Sequence, residues 1–246
     1  MSAIRVEREG AILRITMARP ELRNAFDAAL IADLTAAFAD VGDARAVVLA
    51  GDGPSFSAGA DVEWMRSSVA LAYDENVADA LRLRAMLDAI DECPAPVLAR
   101  VQGHALGGGC GLVACCDMVV AEPSTQFAFS EVKLGIVPAV ISPFALAKIG
   151  PSAARRYFVT GERFDAATAL RIGLVHDVTD DLDGSVDQLV AELLTAGPVA
   201  TRVAKQLARR TASADETARL IGERRTSPEG QEGLHAFLEK RRPDWG

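Results

Sequence analysis

Short apolar runs alternate along the chain with stretches in which apolar residues recur every three or four positions. The runs are rich in β-branched residues and end at glycine, proline or aspartate, a pattern that predicts strands. The predicted strands lie at 4–17 (a pair around Glu9-Gly10), 46–50, 97–101, 118–121, 126–129 and 174–178. The helical spacing predicts helices over 28–40, over roughly 75–91, from 112 onward, and in short pieces over 142–172.

The alternation of short strands and helices predicts the α/β class. From residue 185 onward the pattern is helical only, so we expect a helical C-terminal part. The segments are too similar in size for a long doubly wound sheet, and the first glycine motif is not Gly-x-Gly-x-x-Gly. A dinucleotide-binding fold is therefore a weak alternative.

A glycine-rich run, Ala105-Leu106-Gly107-Gly108-Gly109-Cys110-Gly111, lies between the predicted strand 97–101 and the helix from 112. The first N–H groups of a helix have no partner within the helix, and glycine lets a ligand approach them closely. A helix N-terminus also favours negative charge. The run therefore predicts a main-chain anion site. Close packing of a helix on a sheet explains the glycines equally well.

A second loop, Ser57-Ala58-Gly59-Ala60-Asp61, also follows a predicted strand and leads toward a helix. Alone, it would be read as an ordinary turn. If the two preceding strands are parallel, however, the two loops can direct two backbone N–H groups at one carbonyl oxygen. That arrangement is an oxyanion hole, which stabilises negative charge as it develops on the oxygen.

Charge and composition exclude several function classes. The formal net charge is −8 and the pI is about 5, which argues against a nucleic-acid partner. The N-terminus does not resemble a signal peptide and no apolar stretch has membrane-spanning length, so we expect a cytoplasmic protein without a membrane partner. The four cysteines match no zinc spacing, so we expect free thiols and no metal. No Gly-x-Ser-x-Gly elbow is present, which disfavours a serine nucleophile.

Several motifs, in a fixed order over nearly the whole chain, resemble the enoyl-CoA hydratase/isomerase (crotonase) family. They are Arg19-Pro20 with Asn24-Ala25, Phe56-Ser57-Ala58-Gly59-Ala60-Asp61, Pro94-Ala95-Pro96-Val97, Gly103-His104-Ala105-Leu106-Gly107-Gly108-Gly109, Cys116-Asp117, Phe127, Glu131 with Leu134-Gly135-Ile136-Val137-Pro138, Gly173-Leu174-Val175 and Phe237-Leu238-Glu239-Lys240-Arg241. The resemblance implies a crotonase-like spiral of ββα repeats over 1–190 that binds acyl-CoA. It also implies a C-terminal helical trimerisation region over 191–246, so we expect a homotrimer or a homohexamer.

The resemblance further implies roles for single residues. The backbone N–H groups of Ala60 and Gly108 would hold the carbonyl oxygen of a thioester, and Glu131 would act as the catalytic acid and base. By its position alone, Glu131 is typical of a surface glutamate before a turn. Coenzyme A is part of the substrate, so no separate cofactor is expected. The residues implied in holding it are Asn24, Ala25, Ala58, Asp61 and Lys240.

The chain departs from the family pattern at Gly111, where two-carboxylate hydratases carry a second glutamate that helps to hold or activate the water. Three explanations stay open. In the first, Glu131 alone handles both water and proton; in the second, another polar group orients the water; in the third, the reaction is a double-bond shift. A second departure is the sequence Pro-Ala-Val-Ile-Ser-Pro over 138–143, where the family often has glycines. We expect these bulkier side chains to narrow or reshape the acyl pocket.

Segments over 130–133, 137–144, 154–157 and 227–233 resemble a bacterial subgroup that hydrates branched, carboxylated enoyl-CoAs such as 3-methylglutaconyl-CoA. A distal carboxylate would favour a cation in the pocket, for which Lys133 and Arg100 are candidates, although solvated lysines and ordinary ion pairs are commoner. We expect hydration across the 2,3 double bond of an acyl-CoA. The alternatives are an enoyl-CoA isomerase with Glu131 as its sole acid and base, and a catalytically inactive CoA-binding protein.

Overall fold

Nine strands and ten α-helices are found within residues 2–245, the part of the chain that this computed structural model describes. The strands are β1 Ile4–Glu9, β2 Ile12–Met17, β3 Ala46–Gly51, β4 Val97–Val101, β5 His104–Leu106, β6 Met118–Ala121, β7 Gln126–Ala128, β8 Phe164–Asp165 and β9 Asp177–Val178. The helices are α1 Ala28–Ala39, α2 Val62–Ser68, α3 Tyr73–Asp91, α4 Gly108–Cys115, α5 Ser142–Thr160, α6 Ala166–Arg171, α7 Leu182–Thr195, α8 Pro198–Ala208, α9 Ala214–Thr226 and α10 Pro228–Glu239. Short 3-10 helices cover Pro20–Leu22 and Glu131–Leu134.

Two sheets organise the chain. The larger has the order β1-β2-β3-β4-β6-β9, in which β1 and β2 are antiparallel and the other pairs are parallel. The smaller has the order β5-β7-β8, with β5 and β7 parallel. Parallel neighbours require crossover connections, and α1, α3 and α4 lie in those connections. The strands of the larger sheet therefore face helices built from the segments between them.

Each turn of the chain passes through the larger sheet, then a short extended segment, then a helix. In the first two turns the extended segments form only single parallel bridges, Phe26 with Ala60 and Ser57 with Ala105. In the next two turns they lengthen into the strands β5 and β7. The predicted spiral of ββα turns, followed by C-terminal helices, is therefore confirmed.

Both faces of the larger sheet are buried. Val47 and Leu49 point into the main core beneath α1, α3 and α4, whereas Val48 and Leu98 point into a second cluster with Val186 of α7. Successive residues of a strand face opposite sides, which explains why these strands are apolar without alternation. The boundary predicted after residue 190 falls within α7, which packs on the sheet. The division into two regions stays a prediction.

The C-terminal helices α9 and α10 pack on each other, and α10 also packs on α8. Three large apolar side chains of α10, Leu234, Phe237 and Leu238, are exposed. The expected trimer or hexamer stays a prediction. Among residues 2–245, no helix is both long enough and apolar enough to cross a membrane.

Two predicted strands differ from the observed ones. The predicted strand 174–178 is paired only at its end, as β9, because the N–H groups of Leu174 and Val175 both donate to the carbonyl oxygen of Ala169. The strand predicted over 97–101 is observed as β4, but a further strand, β5, follows it and contains the first two residues of the glycine-rich run, Ala105 and Leu106. This extra strand matters because it fixes the direction in which the glycine run enters α4.

Candidate active site

The glycine run makes a sharp turn between β5 and α4. Gly107 has φ +52°, in the left-handed region that favours glycine, and its N–H donates to Ala128 O at 2.8 Å. A Cβ on Gly108 would lie 2.1 Å from Phe26 Cζ, and a Cβ on Gly109 would lie 2.6 Å from Ser57 O. Close packing therefore does require two of these glycines. The same packing brings the start of α4 against the second loop.

The second loop is tied to β5 by two backbone hydrogen bonds. The Ser57 N–H donates to His104 O at 2.9 Å, and the Leu106 N–H donates to Ser57 O at 3.1 Å. Gly59 has φ +88°, and a Cβ on it would lie 2.5 Å from Leu106 O and 3.6 Å from Gly108 N. The two loops that the sequence singles out are therefore in direct contact through their backbones.

Two backbone donors at this contact have no acceptor. Within residues 2–245, neither the Ala60 N–H nor the Gly108 N–H donates a hydrogen bond to a protein atom. Both residues line the same cavity. Backbone N–H groups are rarely left unpaired in a folded protein, so these two are available to an acceptor that enters the cavity. A carbonyl oxygen that gains negative charge is the acceptor for which such donors are most effective.

Glu131 places its carboxyl group beside these donors. It begins the 3-10 helix that follows β7, and a Cβ on Gly107 would lie 3.5 Å from Glu131 Oε1. The second oxygen, Oε2, is buried and has no hydrogen-bond partner. Burial raises the pKa of the Glu131 carboxyl above its usual value. A carboxyl group in this environment can accept and return a proton at a carbon atom held between the loops.

These groups share one cavity of about 320 Å³, which we call the site cavity. Its walls come from α2, α3, the two loops and the segment from Ser130 to Ile141. Most of the lining is apolar, including Trp64, Leu83, Leu134, Ile136, Val140 and Ile141. Asp79 and Glu131 are the only charged residues among the described residues that line it, and Asp79 is paired with Arg82 at 2.8 Å. A mainly apolar cavity with a few convergent polar groups is typical of a small-molecule site.

The position of Gly111 is filled by a neighbour. A Cβ on Gly111 would lie 2.5 Å from Ile141 Cγ2 and 3.8 Å from Leu87 Cδ2. Gly111 and Ile141 are both buried, and Ile141 also lines the site cavity. Ile141, which belongs to the bulky segment 138–143, therefore occupies the space that a larger side chain at position 111 would need. No second carboxylate faces the donors from this position.

The residues expected to hold coenzyme A lie in different places. Ala58 lines the site cavity. Asn24 is fully buried, and its side-chain amide donates to Asp52 O and Ser55 O, so this side chain braces the loop before Ser57. Ala25 lies next to it and is buried.

Asp61 and Lys240 complete the expected set. The Asp61 carboxylate accepts the N–H groups of Glu63 and Trp64 at 2.9 and 3.1 Å, which makes it the N-cap of α2. Lys240 ends α10 in the left-handed conformation and does not line the site cavity. The proposed contacts of all five residues with coenzyme A stay predictions.

The two cations suggested for a distal carboxylate do not line the site cavity. Arg100 is paired with Asp183 at 2.6 Å, so the ordinary ion pair applies. Lys133 is exposed and lies beside Gly161: a Cβ built on Gly161 would lie 3.2 Å from Lys133 Cγ. The role suggested for these two side chains toward a distal carboxylate stays a prediction. Conversely, no pattern in the sequence indicated that Phe26 and Trp64 would form part of the wall.

Comparisons with known proteins agree with this geometry. Residues 7–246 match the model of the enoyl-CoA hydratase/isomerase family. The chain is 34% identical to the 2,3-dehydroadipyl-CoA hydratase of Escherichia coli strain K12, over 100% of this chain and 99% of that protein.

Solved structures are similar over the same length. A crystal structure of an enoyl-CoA hydratase from Shewanella pealeana has a TM-score of 0.94 at 37% identity and covers 99% of this chain and 96% of its own. A structure from Legionella pneumophila, described as an enoyl-CoA hydratase/isomerase (crotonase), has a TM-score of 0.93 at 38% identity, with 100% of each chain covered. These values extend the agreement from single motifs to the whole described fold.

Proposed function

Because this chain belongs to the enoyl-CoA hydratase/isomerase family, we propose that it hydrates the 2,3 double bond of an acyl-CoA thioester. The observation that supports this most directly is the pair of unpartnered N–H groups of Ala60 and Gly108 next to the Glu131 carboxyl. The two donors would receive the thioester carbonyl oxygen, which leaves C2 and C3 of the acyl group beside Glu131.

In the proposed reaction, water adds to C3 while the double-bond electrons move toward the carbonyl oxygen. The two N–H groups stabilise the enolate-like charge, and one such donor contributes about 100- to 1,000-fold to kcat in enzymes where it has been removed. The Glu131 carboxylate takes a proton from the water and delivers a proton to C2. General acid–base catalysis of this kind contributes roughly 100- to 10,000-fold.

A single carboxyl would serve both proton transfers. Gly111 has no side chain, and Ile141, which fills its space, has no polar atom. Water and the proton for C2 would then approach from the same side, as a syn addition. The Oε2 atom of Glu131, which has no hydrogen-bond partner, would be available to the water.

A second candidate reaction is isomerisation of a 3-enoyl-CoA to the 2-enoyl-CoA. It is favoured by the same single carboxyl, because a double-bond shift needs one base that removes a proton from C2 and returns it to C4. The two donors would stabilise the intermediate dienolate in the same way. The two backbone donors and Glu131 would serve both reactions equally, so only the substrate distinguishes hydration from isomerisation.

The acyl group is proposed to be short and branched or carboxylated, such as 3-methylglutaconyl-CoA. The similarity to a 2,3-dehydroadipyl-CoA hydratase favours a carboxylated substrate. The apolar lining of the site cavity favours an uncharged branched one. The remaining parts of the proposal are a homotrimer or homohexamer, a cytoplasmic location, and catalysis without a cofactor beyond the coenzyme A of the substrate.

Loss of the conjugated-thioester absorbance tests the proposal, with crotonyl-CoA and 3-methylglutaconyl-CoA as substrates. Hydration lowers the absorbance, whereas isomerisation of a 3-enoyl-CoA raises it. The Glu131→Gln variant should abolish either change while it still binds acyl-CoA. If the unaltered protein binds acyl-CoA but changes neither absorbance, the inactive CoA-binding alternative replaces the enzymatic one.

A further inference from the structure

A second, larger cavity lies further along α3 and α4 than the site cavity. This rear cavity has a volume of about 760 Å³ and is lined by the second halves of α3 and α4 and the beginning of α5, together with α8. The first halves of α3 and α4 and the segment before α5 line the site cavity instead. The two cavities therefore follow each other along the helices, with a layer of side chains between them.

That layer is thin and apolar. Three buried residues lie between the two sets of lining residues: Leu87 of α3, Gly111 of α4 and Ile141 at the start of α5. Ile141 Cγ2 lies 2.5 Å from the Cβ position of Gly111, so the isoleucine fills the gap that the glycine leaves. It is also the one member of this layer that lines the site cavity.

Apolar atoms continue on the far side of the layer. Ala114 and Cys115 lie about one helical turn beyond Gly111 on α4, and Phe144 lies about one turn beyond Ile141. Charged groups share this wall, because the Arg84 guanidinium lies over the Phe144 ring, 4.8 Å from its centroid, and pairs with Asp88 at 2.8 Å. An acyl chain that passed the layer would therefore meet Ala114, Cys115 and Phe144 with this ion pair beside them.

We infer that Ile141 determines the acyl chain length that this protein accepts, by closing the site cavity against the rear cavity. The inference depends on the proposed acyl-CoA substrate. A short acyl group ends against the Ile141 side chain, whereas a longer one requires the space that this side chain occupies. Gly108 and Gly111 lie within one helical turn of each other on α4, so the length limit is judged from the ratio between substrates and not from activity on a single substrate.

The experiment compares Ile141→Ala with the unaltered protein on trans-2-enoyl-CoA substrates from four to ten carbons. Removing the side chain should join the two cavities and raise the ratio of kcat/KM for the eight-carbon to the four-carbon substrate at least about tenfold, since one methylene accepted or rejected changes kcat/KM by roughly tenfold or more. Ile141→Val, which removes one methyl group, should shift the ratio in the same direction by less. Leu146→Ala is the matched control, because Leu146 lies on α5 and lines neither cavity.

Binding of saturated acyl-CoAs, measured by calorimetry, separates this inference from the proposed function. If the unaltered protein binds butyryl-CoA more tightly than octanoyl-CoA and Ile141→Ala reverses the order, the length limit is supported whatever reaction follows. If both variants fold and keep the same preference, Ile141 does not set chain length. If no acyl-CoA binds to the unaltered protein, the proposed function itself fails.

Discussion

Replacement of Gly108 by alanine should remove activity through one defined clash. The new Cβ would lie 2.1 Å from Phe26 Cζ and within 3.1 Å of both Cε atoms of the ring. Phe26 is 1% exposed, packs against Trp64 and lines the site cavity, so a displaced ring enters the space proposed for the acyl group. If the ring stays in place, the start of α4 must shift, and it carries the Gly108 N–H.

Two separate magnitudes follow from this geometry. An extra methyl group in a closely packed core costs about 1–3 kcal/mol, which lowers Tm by about 2–12 °C in a chain of this length. Displacement of one oxyanion donor costs about 100- to 1,000-fold in kcat, with a smaller effect on KM because the donor acts mainly on the developing charge. We therefore expect the folded variant to lose most of its activity.

The assay is steady-state hydration of crotonyl-CoA combined with thermal unfolding of the same preparations. Gly222→Ala is the matched control, because no atom lies within 4 Å of a Cβ at that position on α9. It should keep full activity and unfold at the same or a slightly higher temperature. The double variant Gly108→Ala with Phe26→Leu should recover part of the lost kcat, because the smaller side chain removes the contact with the ring. Full activity of folded Gly108→Ala would refute the assigned role of the Gly108 N–H.

Three further predictions concern the charged groups around the site and the core. Glu131→Gln should lower kcat by about 100- to 10,000-fold. In the unaltered protein, kcat/KM should fall with decreasing pH through a pKa above the ordinary glutamate value of 4.5, because burial raises the pKa of Glu131 and its carboxylate must be ionised to accept a proton. A pH profile that stays flat down to the ordinary value would contradict this. Asp61→Ala should destabilise the protein by about 1 kcal/mol in denaturant unfolding, since two N–H groups of α2 lose their cap, whereas Asp61→Asn should restore most of that loss. Lys205→Met should cost about 3 kcal/mol of unfolding free energy, because it leaves the Asp117 carboxylate without its buried partner at 2.7 Å; an unchanged unfolding midpoint would show that solvent already screens this pair.

The elements that the sequence predicts well are those whose signals are local. The helix predicted over 28–40 is observed as α1, and the Asp27 carboxylate accepts the Leu30 N–H at its start. The apolar runs at 46–50 and 97–101 form β3 and β4 because both of their faces are buried. In these cases a few neighbouring residues carry the whole pattern.

The elements that were missed depend on distant partners. The strands β5 and β8 have three and two residues, too few for any visible alternation, and they exist only because β7 pairs with both. The pattern of residues also showed that Lys133 and Arg100 are cations but not the direction of their side chains. Arg100 lies on a strand whose neighbouring helix α7 supplies Asp183.

The contact between Gly111 and Ile141 could not be predicted from the sequence either, because it also depends on a distant partner. The missing side chain at 111 and the bulky segment 138–143 were both visible, but 30 positions separate the two residues. Only the packing of α4 against the start of α5 shows that one fills the space of the other. The vacant position and the bulky segment are therefore one feature of the site.

A crystal structure of the Glu131→Gln variant with crotonyl-CoA bound is the most direct measurement of how this chain activates its substrate. The thioester carbonyl oxygen should lie about 2.7–3.1 Å from both the Ala60 and the Gly108 nitrogen atoms, with C2 facing residue 131. A bound crotonyl-CoA whose carbonyl oxygen lies out of hydrogen-bond reach of both nitrogen atoms would contradict the proposed oxyanion hole and the reaction built on it.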